Sequence, residues 1–299
     1  MQFVFLILIG LFLYTNAFVA SSYRNMHSTA LKMGGGRSKV EAGRSQRVMF
    51  ESLRKKLNEV AENPEFFDES YIEGSDVLLY CKSAKDGLQI GDCPFAQFVQ
   101  MVLLKKGVPY IVKPTLSDNK PDWLQNEMGG KMPCLVHKDE KITDSLAIAE
   151  FLEKTYPHTT LTRQGVYSYQ EVIEKTSGFF PAFAAWVKNK DAASDASLRS
   201  AFEDQLEILD EILRTSPGYY ATGLEVTLAD YYLTPQLFHA TVALEHFKDY
   251  IFYHIDGVPT RPALENYMSK MFDLEEFNHK KAYYSVDQVI NGWKTARGD

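Results

Sequence analysis

The chain is poor in cysteine: Cys81, Cys93 and Cys134 are the only three in 299 residues. Three thiols are too few, and odd in number, for a disulfide framework, and they fit a reducing compartment better than an oxidising one. No apolar run reaches the roughly 20 residues that a bilayer-spanning helix needs. The best candidate, Phe3 to Leu13, has the length of a signal-peptide core. Positive charge is not in excess either: the net charge is -7, which argues against nucleic acid or an anionic membrane surface as the main partner. There is no internal repeat, and the only low-complexity tract is the glycine triplet Gly34-Gly35-Gly36. The composition that remains, 45% hydrophobic and 24% charged, is that of a globular protein with a real core. The length allows two domains and a leader.

Acidic residues are missing from the first stretch: none precedes Glu41. Small residues Thr15-Asn16-Ala17 follow the apolar run, then Phe18-Val19-Ala20-Ser21-Ser22 and a basic, serine-containing segment to about Arg37. A signal peptide does not need an acid-free tail, whereas a transit peptide does. Residues 1–44 therefore read as a two-part leader, similar to the plastid leaders of algae with secondary plastids. The expected location is the plastid, with the secretory pathway as the alternative.

Beyond Gly36, residues 45–74 form an extension in which Val48, Phe50, Leu53, Leu57 and Val60 mark an amphipathic helix over Ser45 to Asn63, stopped by Pro64. From Asp76 the pattern changes. Val77 to Tyr80 reads as a buried strand, Phe95 to Lys106 as a helix and Tyr110 to Pro114 as a second strand. Met132 to Val136 is a third strand, Lys141-Ile142 a short fourth, and Asp144 to Thr155 a helix. The order is β-α-β, a connection, then β-β-α. This is the pattern of an α/β thioredoxin-like domain over residues 75–158, with a parallel and an antiparallel strand pair in one sheet. From Tyr167 onward apolar residues recur at three- and four-residue spacing, as Ala201, Leu206, Leu209 and Leu213 do, so residues 159–299 read as an all-α domain. Thr227 and Asp230 have capping-box spacing before the apolar run Tyr231 to Leu237.

Cys93, in Gly91-Asp92-Cys93-Pro94-Phe95-Ala96, carries the chemistry. An isolated cysteine is most often a small buried hydrophobe, and Cys81 and Cys134, in strand-like runs, are read that way. Cys93 instead lies at a helix start, where backbone N–H groups favour a thiolate, and Pro94 suits the first helical turn. The residue three places on is Ala96, so any disulfide chemistry needs a thiol from outside. Pro133, opening a strand after Met132, lacks a ladder donor. It is either an edge-strand proline or a cis proline whose Met132 backbone faces a peptide ligand. Ser145 offers a hydroxyl and free N–H groups at a helix start, a site for a carboxylate. The plainer reading is capping, which Asp144 performs either way. Together these features suit glutathione, a peptide with a carboxylate at each end and a thiol between them. Lys82 and Lys120 are candidates to neutralise its remaining charge. No metal site and no bound cofactor is expected.

These motifs resemble those of the cysteine-type glutathione transferase superfamily, and within it the dehydroascorbate reductases. Gly91-Asp92-Cys93-Pro94-Phe95, Asn119-Lys120-Pro121-Asp122-Trp123, Gly130-Lys131-Met132-Pro133 and Asp144-Ser145 are similar to the superfamily's N-terminal half. Leu233-Thr234-Pro235-Gln236-Leu237-Phe238-His239, Val242 to Phe247 and Val289-Ile290-Asn291-Gly292-Trp293 resemble the plant reductases. The resemblance spans about Asp76 to Trp293 and implies the glutathione transferase fold. It makes Cys93 the nucleophile, with Asp92 beside it and Lys82 assisting at the dehydroascorbate end. Lys120, Met132, Pro133, Asp144 and Ser145 would bind glutathione, and His239 and Trp293 would line the substrate cleft. Three departures stand out: Ala96 replaces a serine, Phe98 a basic residue, and Met132 a smaller apolar one. The implied reaction is reduction of dehydroascorbate by two glutathiones, in a monomer. The alternatives are an omega-like or glutaredoxin-like thiol transferase and a non-enzymatic protein like the chloride intracellular channel group.

Overall fold

The computed structural model describes residues 76–299, apart from 86, 253, 256–257, 280–281 and 283. The leader, the Ser45–Asn63 helix and the 45–74 extension lie outside the described residues.

The N-terminal half is a four-stranded sheet: β1 (Val77–Lys82), β2 (Ile111–Thr115), β3 (Cys134–His137) and β4 (Glu140–Thr143), in the order β2-β1-β3-β4. β1 pairs parallel with β2 and antiparallel with β3, and β3 pairs antiparallel with β4. β1 is central because it buries every second residue: Val77, Leu79 and Cys81 face the core. Pro114 falls within β2, where the edge position tolerates a residue with no N–H. The second and third strands each begin one or two residues later than their apolar runs do, since Tyr110 packs as core and Pro133 stays outside the ladder.

Helix α1 (Pro94–Lys105) follows β1, a short α2 (Asp122–Asn126) follows β2, and α3 (Ser145–Thr155) follows β4. This is the thioredoxin-like arrangement. The second half is built from α4 (Tyr169–Lys175), α5 (Phe179–Lys188), α6 (Ala192–Thr215), α7 (Leu228–Lys248), α8 (Pro262–Phe272), α9 (Glu275–Asn278) and α10 (Val286–Arg297). One feature departs from the all-α expectation: His254–Ile255 (β5) and Val258–Pro259 (β6) form a two-residue antiparallel pair. Alternation over so few residues leaves no strand signal.

The halves share one core. On α1, Phe95 and Phe98 meet Tyr232 of α7, and Phe95 also meets Phe180 of α5. The helix that carries Cys93 is thus held by a fully buried Phe98, where a charged side chain would have no solvent. The first turn of α7 carries Asp230, whose Oδ2 accepts from the Thr227 N–H at 2.8 Å and hydroxyl at 3.0 Å. Its Oδ1 accepts from the Ala221 N–H at 2.8 Å and the Tyr267 hydroxyl at 3.0 Å. The capping carboxylate thereby joins α7 to the preceding loop and to α8.

Candidate active site

Strand register brings the singled-out residues to one end of the sheet. β1 runs toward Lys82, β2 ends at Thr115 beside it, β3 begins at Cys134 opposite Tyr80, and β4 ends at Thr143 opposite Cys134. The segments that leave this end carry Asp92 and Cys93, Lys120, Met132 and Pro133, and Asp144 and Ser145. Carboxyl ends of parallel strands are where open sheets place their ligands.

Cys93 is the N-cap of α1, extended at φ -82 and ψ 112, with its carbonyl accepting from the Ala96 and Gln97 N–H groups at 3.1 Å. The residue as a whole is partly exposed. Burial pushes the thiol up from its ordinary value, the Ala96 and Phe95 N–H groups pull it down, Asp92 raises it and Lys82 lowers it, with the rise prevailing. The helix start favours a thiolate, as its sequence position suggests, but desolvation outweighs it. Cys81 and Cys134 are buried in β1 and β3, and burial pushes them to about 12 and about 11. They are inert core thiols, as the strand pattern indicates.

Gly91 lets the loop before Cys93 press on β1. Its N–H donates to the Lys82 carbonyl at 2.7 Å, and a Cβ there would lie 2.6 Å from the Ser83 carbonyl oxygen. Asp92 does not face bulk water alone: its Oδ1 meets Lys82 Nζ at 2.5 Å. Lys82 and Asp92 line a cleft of about 850 Å³ whose far wall is α10, including Gln288, Asn291 and Gly292.

The Met132–Pro133 peptide bond is cis. Lys120 Nζ donates to the Gly130 carbonyl at 2.9 Å, so its charge is held next to the Met132 turn. Asp144 caps α3: Leu146 and Ala147 N–H groups both donate to its Oδ1 at 3.0 Å. Its φ of 74 is a left-handed value, costing a non-glycine residue roughly 1–3 kcal/mol, which the two cap bonds help to offset. The cap leaves Ser145, mostly buried, at the first helical position.

His239 of α7 and Trp293 of α10 are both buried, and Trp293 Nε1–H donates to His239 Nδ1 at 3.2 Å. An indole can only donate, so Nδ1 is the acceptor and the His239 proton sits on Nε2, which has no partner within the protein. Burial pushes His239 down to about 4, opposed by Asp92 and reinforced by Lys82, which places it within electrostatic reach of that pair. Trp293 packs edge-on to Phe183 and near Phe180.

Three contacts escape sequence reading. Gln288 Nε2 donates to the Ile90 carbonyl at 3.2 Å, tying α10 to the Cys93 loop. Gln100 Nε2 donates to the Tyr284 hydroxyl at 3.0 Å beneath the site. Gly292 lies within α10 without a left-handed φ, yet a Cβ there would overlap the Asp92 carboxylate. Only the last has a sequence signal: a glycine inside an amphipathic helix costs about 1 kcal/mol relative to alanine and asks for a reason.

A family model, the CLIC-like N-terminal domain, matches residues 75–158. Glutathione S-transferase DHAR2 of Arabidopsis thaliana is 33% identical over 69% of this chain and 91% of its own. Probable glutathione S-transferase DHAR1, cytosolic, of Oryza sativa subsp. japonica is 35% identical over 68% of this chain and 90% of its own. The crystal structure of Chlamydomonas reinhardtii dehydroascorbate reductase superposes with a TM-score of 0.61 at 31% identity, covering 73% of this chain and 97% of that one. The chain is therefore an oxidoreductase belonging to the dehydroascorbate reductase class of the glutathione S-transferase family.

Proposed function

We propose that this chain reduces dehydroascorbate to ascorbate with two glutathiones, through Cys93 as the single redox-active thiol. The observation that carries the reading is the convergence of Cys93, the Met132–Pro133 turn and the Ser145 helix start at one end of the sheet, with Ala96 where a resolving thiol would stand. Glutathione lies along the Met132 backbone, its γ-glutamyl carboxylate on Ser145 and the α3 N–H groups and its other carboxylate on Lys120. Dehydroascorbate enters on the Lys82–Asp92 side, near the Nε2–H of His239, with Trp293 fixing the imidazole.

Cys93 gives two electrons to dehydroascorbate. Ascorbate leaves, and water supplies the oxygen of a Cys93 sulfenic acid. One glutathione condenses with the sulfenic acid to a mixed disulfide, releasing that water. The second glutathione attacks the mixed disulfide, restores the Cys93 thiol and leaves as glutathione disulfide.

The alternatives are a thiol transferase and a non-enzymatic protein, the second bearing on the CLIC-like match over 75–158. Initial rates with dehydroascorbate and with a glutathionylated disulfide, each with glutathione as donor, separate them. We expect faster turnover of dehydroascorbate. Turnover of the disulfide alone would replace this reading with a thiol transferase, and turnover of neither with a non-enzymatic one.

A further inference from the structure

The Asp92 carboxylate is held by Lys82, and the loop that carries it is held at two further points. Lys82 Nζ holds Oδ1 at 2.5 Å, the Gly91 N–H pins the loop to the Lys82 carbonyl at 2.7 Å, and Gln288 ties α10 to Ile90, two residues upstream. The remaining oxygen faces the Cα of Gly292 so closely that no side chain fits between them. Gly292 has no need of glycine's conformational freedom, and helix propensity favours alanine at an interior helical position. Space for the carboxylate is what the glycine supplies.

We propose that Gly292 is a positioning residue, the seat in which the Asp92 carboxylate rests, so that α10 sets where the charge pair beside Cys93 lies. A methyl group at 292 lifts the carboxylate off its seat and breaks its short contact with Lys82, leaving the Lys82 charge, which lowers the Cys93 thiol, uncompensated. The other titratable groups coupled to Cys93 are Cys81 of β1 and Tyr284 before α10, and His239 of α7 is coupled to Asp92 and Lys82 themselves. The kinetic consequence rests on the dehydroascorbate reading, but the electrostatic one does not.

The test uses the full-length protein and Gly292→Ala. The rate of iodoacetamide alkylation at the Cys93 peptide is followed against pH by mass spectrometry, without glutathione. Because Asp92 raises the Cys93 thiol and Lys82 lowers it, the alkylation midpoint in Gly292→Ala is expected to fall. In an Asp92→Ala background the same substitution is expected to move nothing further. With dehydroascorbate, kcat/KM is expected to drop by about tenfold or more, as for other small displacements of a positioned group. If Gly292→Ala melts early, the double variant, which lacks the collision, is expected to regain the melting temperature of Asp92→Ala alone. An unchanged midpoint in Gly292→Ala, an equal fall in both backgrounds, or an early melt that persists in the double variant would overturn the assignment. Absence of dehydroascorbate turnover in the wild type would sink the functional reading and leave the titration as the test of the seat.

Discussion

A histidine that is buried and neutral makes the protein acid-sensitive. His239 titrates near 4 in the folded chain and near 6.5 when unfolded. Between those values the unfolded state binds more protons, so stability rises with pH across this window and is lost as pH falls through it. From pH 7 to pH 5 the loss is about 2 kcal/mol. Thermal melts at the two pH values measure it, and His239→Gln is expected to flatten the difference. The opposite sign governs Cys93. Its thiol is raised, so alkylation of the unliganded protein climbs with pH beyond the range of an ordinary cysteine. Cys93→Ser is expected to abolish glutathione-dependent turnover, and residual activity in that variant would remove Cys93 from the cycle. Single residues were legible where one local rule sufficed: the helix-start cysteine, the Asp144 cap, the buried strand thiols. The pKa direction of Cys93 was not, because burial of the thiol and the placing of Asp92 and Lys82 around it arise only when the fold is assembled.

Elements are held by a few groups whose removal leaves several partners stranded. Asp230 satisfies four donors from three segments with one buried side chain. Asp230→Ala leaves those donors without an acceptor and is expected to destabilise the protein by roughly 3–5 kcal/mol. Asp230→Asn, which keeps one acceptor oxygen, is expected to lose less. Denaturant midpoints of the two variants check the order. The Thr227–Asp230 spacing announces this cap in the sequence, but its links to Ala221 and Tyr267 are long-range and have no local signature. The same holds for α10. Its apolar period points Val289 and Trp293 inward, whereas its grip on Ile90 and Asp92 appears only when the last helix meets the first helix's loop. The β-α-β then β-β-α order was readable because strand and helix periods differ and glycine or proline marks most boundaries. The β5–β6 pair was not, since two residues per strand carry no period.

At the scale of the molecule, the sheet half and the helical half have no separate cores. Phe95 and Phe98 of α1 sit among Phe180 and Tyr232, and the buried apolar residues of both halves form one cluster. The described residues are expected to unfold in one transition. Trp123 reports on the sheet half and Trp186 and Trp293 on the helical half, so single-tryptophan variants should give coincident denaturation curves. Separated curves would mean that the shared aromatic interface contributes little to cohesion.

That interface also decides how reactants come and go. Two halves bolted through aromatic rings make one frame around the notch between β1 and α10, and both reactants must reach the same sulfur from it. Under the proposed cycle ascorbate must clear it before glutathione reaches the sulfur. Double-reciprocal plots for one reactant at several fixed levels of the other should then run parallel, and crowding by either reactant should slow the other's arrival.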